Sequence, residues 1–183
     1  MREVTQTRVG VPQGNCTEAC IASILECPIE DVPDLYDAET GKGHSPERWN
    51  LLCAWLKERG YLWLWGEIRL RKGAHFPVLE ELHASWSRED PTFKLDWRGY
   101  HFLAGPNPDG APHCIVAKYG CPVWDPNPLQ RGITGVDGFG MLAPLSQLPE
   151  EYRSWPAIGM TLEELDADDP RNKNATHSRS VQE

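Results

Sequence analysis

The chain has 183 residues, of which 18 are Lys or Arg and 27 are Asp or Glu, giving a formal net charge of −9. So acidic a surface argues against nucleic acid and anionic membranes as partners, because phosphate contacts need cationic side chains. Apolar residues make up 40% of the chain and eight residues are Trp, which is enough for a packed core and excludes wholesale disorder.

In chain order, the first fifteen residues read as extended chain and loop, punctuated by Gly10, Pro12 and Gly14. From Cys16 or Thr17 to about Glu26 nearly every residue is small or apolar, which predicts a buried helix rather than an amphipathic one, stopped by Pro28. A further turn follows at Ile29–Val32. Ser45 as N-cap, Pro46 at the first helical position and Glu47 beside the dipole predict a second helix over residues 46–59, ended by Gly60.

The aromatic, alternating stretch 61–71 predicts a strand, and residues 73–92 predict a short helix around Val78–Trp86. Strands are expected at about 99–104, 113–118 and 121–125, the last two joined by a turn at Tyr119-Gly120. A Gly-rich loop is expected from Gly132 to Gly140, then a strand or short helix near Phe139–Leu148. Helices first and antiparallel strands second give an α+β domain over residues 1–160. From Thr161 the composition turns polar, with six acids and three bases. Residues 161–183 therefore read as a last helical turn and an acidic, polar, disordered tail.

No apolar run approaches the ~18 residues of a membrane span. The opening residues Met1–Gln6 lack the apolar centre of a signal peptide. A cytoplasmic protein with free thiols is expected, so the six cysteines are candidates for chemistry rather than for disulfides. Cys16 stands where a Gly-Asn loop enters a helix. Unpaired N–H groups and the helix dipole there favour a thiolate and can hold an oxyanion. Cys20, Cys27, Cys53 and Cys121 read as packing residues.

A thiol nucleophile wants a base, and the base an orienting acceptor. His113 begins one strand of the expected hairpin and Asp125 ends the other, so an imidazole and a carboxylate should meet at one end of the sheet. His101 competes as base and Asn127 as orienting residue. Either Gln6 or Gln13 can donate an amide N–H to the oxyanion, with Gln6 preferred because the chain has length to pass back beside the helix start. Asn15 and Trp124 flank these groups and are candidates for substrate contact. A zinc site is the competing use of Cys and His, but the chain holds no C-x2-C pair, so no metal is expected.

The order of Gln, Cys at a helix start, His on a strand and Asp before Pro resembles the papain-like thiol hydrolases. It is most similar to the peptidase branch that trims double-glycine leader peptides and to small bacterial and phage proteins related to it. The resemblance is carried by Gln6-Thr7, the block from Gly14-Asn15-Cys16 to Leu25, Ile29–Pro33, His113–Val116 and Val123–Pro128. It implies a papain-like fold with the nucleophile helix packed on an antiparallel sheet. It also implies Cys16 as nucleophile, His113 as general base and acid, Asp125 as its orienter and Gln6 as oxyanion donor. The expected activity is hydrolysis of a peptide or isopeptide amide by a monomer, with no cofactor. A peptide or protein is the expected partner. The other class of reading is a non-catalytic papain-like module that binds a peptide or protein, or an amidase or acyltransferase on the same scaffold.

Overall fold

A computed structural model describes residues 1–67, 99–148 and 150. The fold is α+β: two helices on an antiparallel sheet. Helix α1 spans Cys16–Leu25 and ends at Glu26, whose left-handed backbone lets its N–H reach the Ala22 carbonyl. The chain thus leaves the helix two residues before Pro28. A 3-10 turn at Ile29–Asp31 and a small ladder of β1 (Tyr36–Asp37) with β2 (Lys42–Gly43) follow. That ladder has no periodic apolar signature, and nothing in the sequence foretells it. Helix α2 spans Pro46–Glu58 and begins as expected, with Ser45 Oγ accepting from the Arg48 N–H at 3.4 Å. Gly60 follows it at φ +82°, a conformation that favours glycine.

The main sheet comprises β3 (Tyr61–Glu67), β4 (Tyr100–Pro106), β5 (Pro112–Lys118), β6 (Cys121–Trp124) and β7 (Gly138–Pro144). Their spatial order is β3-β7-β4-β5-β6, every pair antiparallel. Two expectations are corrected here. The hairpin β5–β6 carries a bulge at Val116/Ala117 and pairs Val116 with Trp124, so His113 and Asp125 are not cross-strand partners. The last three residues of the expected Gly-rich loop belong to β7. Gly140 pairs with Trp65 and Phe102, and a Cβ there would lie 2.9 Å from Trp65 Cε3. Glycine in this strand is a packing requirement, not a mark of a loop.

Both faces of the sheet are covered. Phe102, Cys114, Val116, Leu142 and Trp63 face α1 and α2, meeting Cys20, Ile21, Ala22, Leu52 and Leu56. Their neighbours Leu103, Ile115 and Ala117 form a second cluster with Val136 on the opposite side. Burial on both faces explains why β5 reads as a continuous apolar run. Trp63 is core: 4% exposed, stacked on Trp65 with centroids 6.0 Å apart and tilted against Phe102 at 4.9 Å. The helix expected at Val78–Trp86 and the tail from residue 161 lie outside the described residues. Among those described, no helix is long and apolar enough to cross a membrane.

Candidate active site

Two pieces of chain meet around α1. Residues 1–8 run beside it, held by Arg2 N–H to the Ser23 carbonyl (3.0 Å) and Val4 N–H to Ser23 Oγ (3.1 Å). The same segment reaches the far end of β6. The Trp124 indole donates to the Val4 carbonyl at 3.1 Å, and the Gln6 N–H donates to the Pro126 carbonyl at 2.9 Å. The segment thus ties the start of α1 to the end of the β5–β6 hairpin.

Asn15 closes this arrangement. Its Oδ1 accepts from the N–H groups of Thr7 (3.1 Å) and Arg8 (2.9 Å), and its Nδ2 donates to Thr7 Oγ1 at 2.9 Å. Asn15 is 5% exposed and makes no side-chain cap to the helix it precedes. Its amide is therefore committed to holding the chain and not to capping α1, whose Thr17 N–H meets the Cys16 thiol instead. Trp124, the other residue expected to contact substrate, is half-buried against the main core.

Cys16 is the first residue of α1 and is half-buried. Burial pushes its thiol up to about 12, and the nearby Cys114 thiol adds to the rise. The backbone N–H groups of Cys114 and Thr17, which favour a thiolate, and the Glu18 carboxylate, which opposes one, are smaller influences. The helix start alone therefore does not make a resting thiolate here, contrary to the expectation from position. The contact with the Cys114 N–H still places the sulfur against the residue that directly follows His113.

His113 is 6% exposed, and its Nε2 lies 2.7 Å from Asp125 Oδ1. The same Oδ1 accepts from the Asn127 N–H at 2.8 Å, and Oδ2 accepts from the Gly132 N–H at 2.7 Å. A carboxylate fixed by three donors holds the imidazole with its proton on Nε2 and leaves Nδ1 as the basic nitrogen. The bulged hairpin explains how this occurs without direct strand pairing: the chain leaves β6 at Trp124, and an Asx-type turn aims Asp125 back at β5.

The competing candidates separate. His101 sits on β4 opposite Ala117, while His113 lies opposite Gly105, so the two rings are at opposite ends of the ladder. Asn127 uses its Oδ1 on the Leu129 N–H at 2.9 Å. Gln13 is exposed and Gln6 is 6% exposed. The Gln6 Nε2 donates to the Arg8 carbonyl at 3.1 Å, and its Oε1 is buried without a partner. No group of three or more His, Cys, Asp or Glu suited to a metal exists among the described residues.

Two features were not read from the sequence. Glu18 is 2% exposed, accepts the Leu35 N–H on Oε1 at 2.9 Å and leaves Oε2 without a partner. Its signal was present: one acid inside an otherwise small and apolar run. The second is that Cys114 and Cys20 stand beside Cys16. The spacing of Cys16 and Cys20, one helical turn, indicated a shared face, and only the competing zinc reading, in which Cys16 and Cys20 converge with His113 and Cys114, brought Cys114 toward it.

A cleft of about 1060 Å³ opens elsewhere, between Pro12, the β1–β2 ladder and the first turn of α2, with Asp37, Lys42, Glu47 and Arg48 on its walls. It includes none of Cys16, His113, Asp125 or Gln6, so this cleft and the candidate catalytic groups do not coincide. Comparison with known proteins returned no match to a family model, to a curated protein or to a solved structure.

Proposed function

We propose that this protein is a papain-like cysteine hydrolase acting on a peptide or isopeptide amide. The observation that carries the reading is the His113–Asp125 pair at 2.7 Å, one residue from the backbone N–H that contacts the Cys16 thiol. Because burial keeps the thiol protonated, His113 Nδ1 takes the proton as the sulfur attacks the substrate carbonyl, instead of holding a resting ion pair. The N–H groups at the start of α1 and the Gln6 amide stabilise the oxyanion. Protonated His113 then gives its proton to the leaving amine, and water, activated by the same nitrogen, releases the acyl group. The substrate is a peptide or protein, and the chemistry asks for no cofactor.

The deciding measurement is the alkylation rate of each cysteine by iodoacetamide. Cys16 should react faster than the buried Cys20, Cys53 and Cys114, and His113→Ala should slow it roughly tenfold. Equal, sluggish labelling at all of these sites overturns the hydrolase reading. A second reading, a binding module without catalysis, is favoured by the burial that raises the Cys16 thiol to about 12. It predicts that His113→Ala leaves labelling unchanged.

A further inference from the structure

Three of the six cysteines gather where α1 meets β5. Cys16 and Cys20, four residues apart on α1, share a helix face. Cys20 is fully buried and its Sγ donates to the Cys114 carbonyl at 3.5 Å. Alternation along β5 sends the Cys114 side chain to the helix face with Val116, in the same core cluster as Cys20, and Cys16 packs against that cluster from its partly exposed edge. Cys53, on α2, and Cys27, past the end of α1, belong to the same cluster, and Cys121 is exposed. Apolar packing needs only one small residue at each of these contacts. Cys114 meets both of the others, its carbonyl taking the Cys20 Sγ and its N–H the Cys16 thiol, and of the three only Cys16 is open to solvent.

We propose that Cys114 is a resolving thiol for Cys16, so that oxidation by a hydroperoxide ends in an internal disulfide at Cys114 and not in irreversible oxidation of Cys16. In the first step His113 Nδ1 takes the proton of the Cys16 thiol as the sulfur attacks one oxygen of hydrogen peroxide. The O–O bond breaks, a sulfenic acid forms at Cys16, and the departing hydroxide recovers that proton from His113 as water. Sulfur is oxidised by two electrons and the peroxide is reduced. In the second step the Cys114 sulfur attacks the sulfenic sulfur. An S–S bond forms, the S–O bond breaks, and the hydroxyl leaves with the Cys114 proton as a second water. Cys20, on the other side of Cys114, can then exchange into that bond, passing its proton to the Cys16 sulfur and storing the oxidation as a Cys20–Cys114 disulfide. Access sets the order: Cys16 meets the oxidant, and Cys114, at 4% exposure, does not. The step shares Cys16 and His113 with the proposed function but needs no amide substrate, so its products are read apart from any hydrolysis.

The test treats the full chain with hydrogen peroxide, blocks free thiols with iodoacetamide and maps the peptides by mass spectrometry. The expected product has lost two hydrogens and links Cys114 to Cys16 or to Cys20, with Cys121 alkylated. Cys16→Ser should reduce that linked fraction roughly tenfold or more, because entry is lost. Cys114→Ala should instead carry Cys16 onward to sulfinic acid. Sulfinic acid on Cys16 of the wild-type chain, with Cys114 and Cys20 recovered as free thiols, overturns the proposal. A Cys20–Cys114 bond that forms equally in Cys16→Ser overturns it too. Should a variant fail to fold, the wild-type peptide map alone separates a disulfide at Cys114 from sulfinic acid at Cys16.

Discussion

The two ends of the β4–β5 ladder carry the same buried residue type in opposite settings. At the end where Gly105 pairs with His113, the chain leaves the sheet at Trp124, and a turn brings back a carboxylate held by three hydrogen bonds. At the other end His101 lies within the ladder, 1% exposed, with Nδ1 3.2 Å from the Gly99 carbonyl. Burial pushes the His101 imidazole toward its neutral form. His101 is enclosed between β5 and β7, whereas His113 meets a carboxylate just past the end of β6. The difference lies in the surrounding chain and not in the residue, and that is what separates a candidate base from a core side chain.

The sharpest way to break this contrast is to exchange the roles by mutation. His113→Ala should lower the turnover of any verified amide substrate by about 1000-fold, the scale of a lost general base, while the thermal midpoint moves little. His101→Asn should do the reverse, leaving turnover near wild type per folded molecule and lowering the midpoint. Equal loss of turnover in both variants would show that the two ends are not functionally distinct. Asp125→Asn probes the same end more gently. It keeps the oxygen that accepts the Asn127 N–H but removes the charge that supports a protonated imidazole, and about a 100-fold loss of turnover is expected.

The His101 end can be read through stability. The folded protein holds the ring neutral, whereas the unfolded chain protonates it below about 6.5. Unfolding therefore takes up a proton in acid. The contribution of His101 is present above pH ~6.5 and is lost as pH falls through that value toward the folded-state one. Urea midpoints measured across this window should fall for the wild type and flatten for His101→Asn.

The sequence made parts of this architecture legible, for identifiable reasons. Helix α2 announced itself because Ser45, Pro46 and Gly60 are local signals that act on their own backbone. Cys16 as the first helical residue was readable in the same way. The meeting of His113 with Asp125 was anticipated from the hairpin, but through a cross-strand pairing that the register does not make; β6 ends at Trp124, and a turn supplies the contact instead. Asn15 could not be read as a clamp, because its partners Thr7 and Arg8 are brought to it only by the docking of residues 1–8 along α1. The state of the Cys16 thiol was likewise out of reach. Position at a helix start argues for ionisation, burial argues against it, and burial is a tertiary quantity.

The smallest expected effect concerns the acid that α1 buries beside the site. Glu18 holds the Leu35 N–H with one oxygen and gives the other no partner, and burial is the largest cause raising its carboxyl above the ordinary value, only partly offset by the Leu35 N–H and by Arg8. The folded state thus prefers the proton. The stability Glu18 allows is fully present below its unfolded value of about 4.5 and is lost as pH rises from there through the folded-state value. Glu18→Gln keeps an oxygen for Leu35, carries no charge to desolvate and does not titrate. Relative to the wild type it should therefore gain stability on moving from acid to neutral pH, by about 1–2 kcal/mol, the scale of an unsatisfied buried group. Paired urea titrations of the two proteins at acid and neutral pH measure that gap, and a gap that stays constant with pH would mean that Glu18 titrates alike in the folded and unfolded chains.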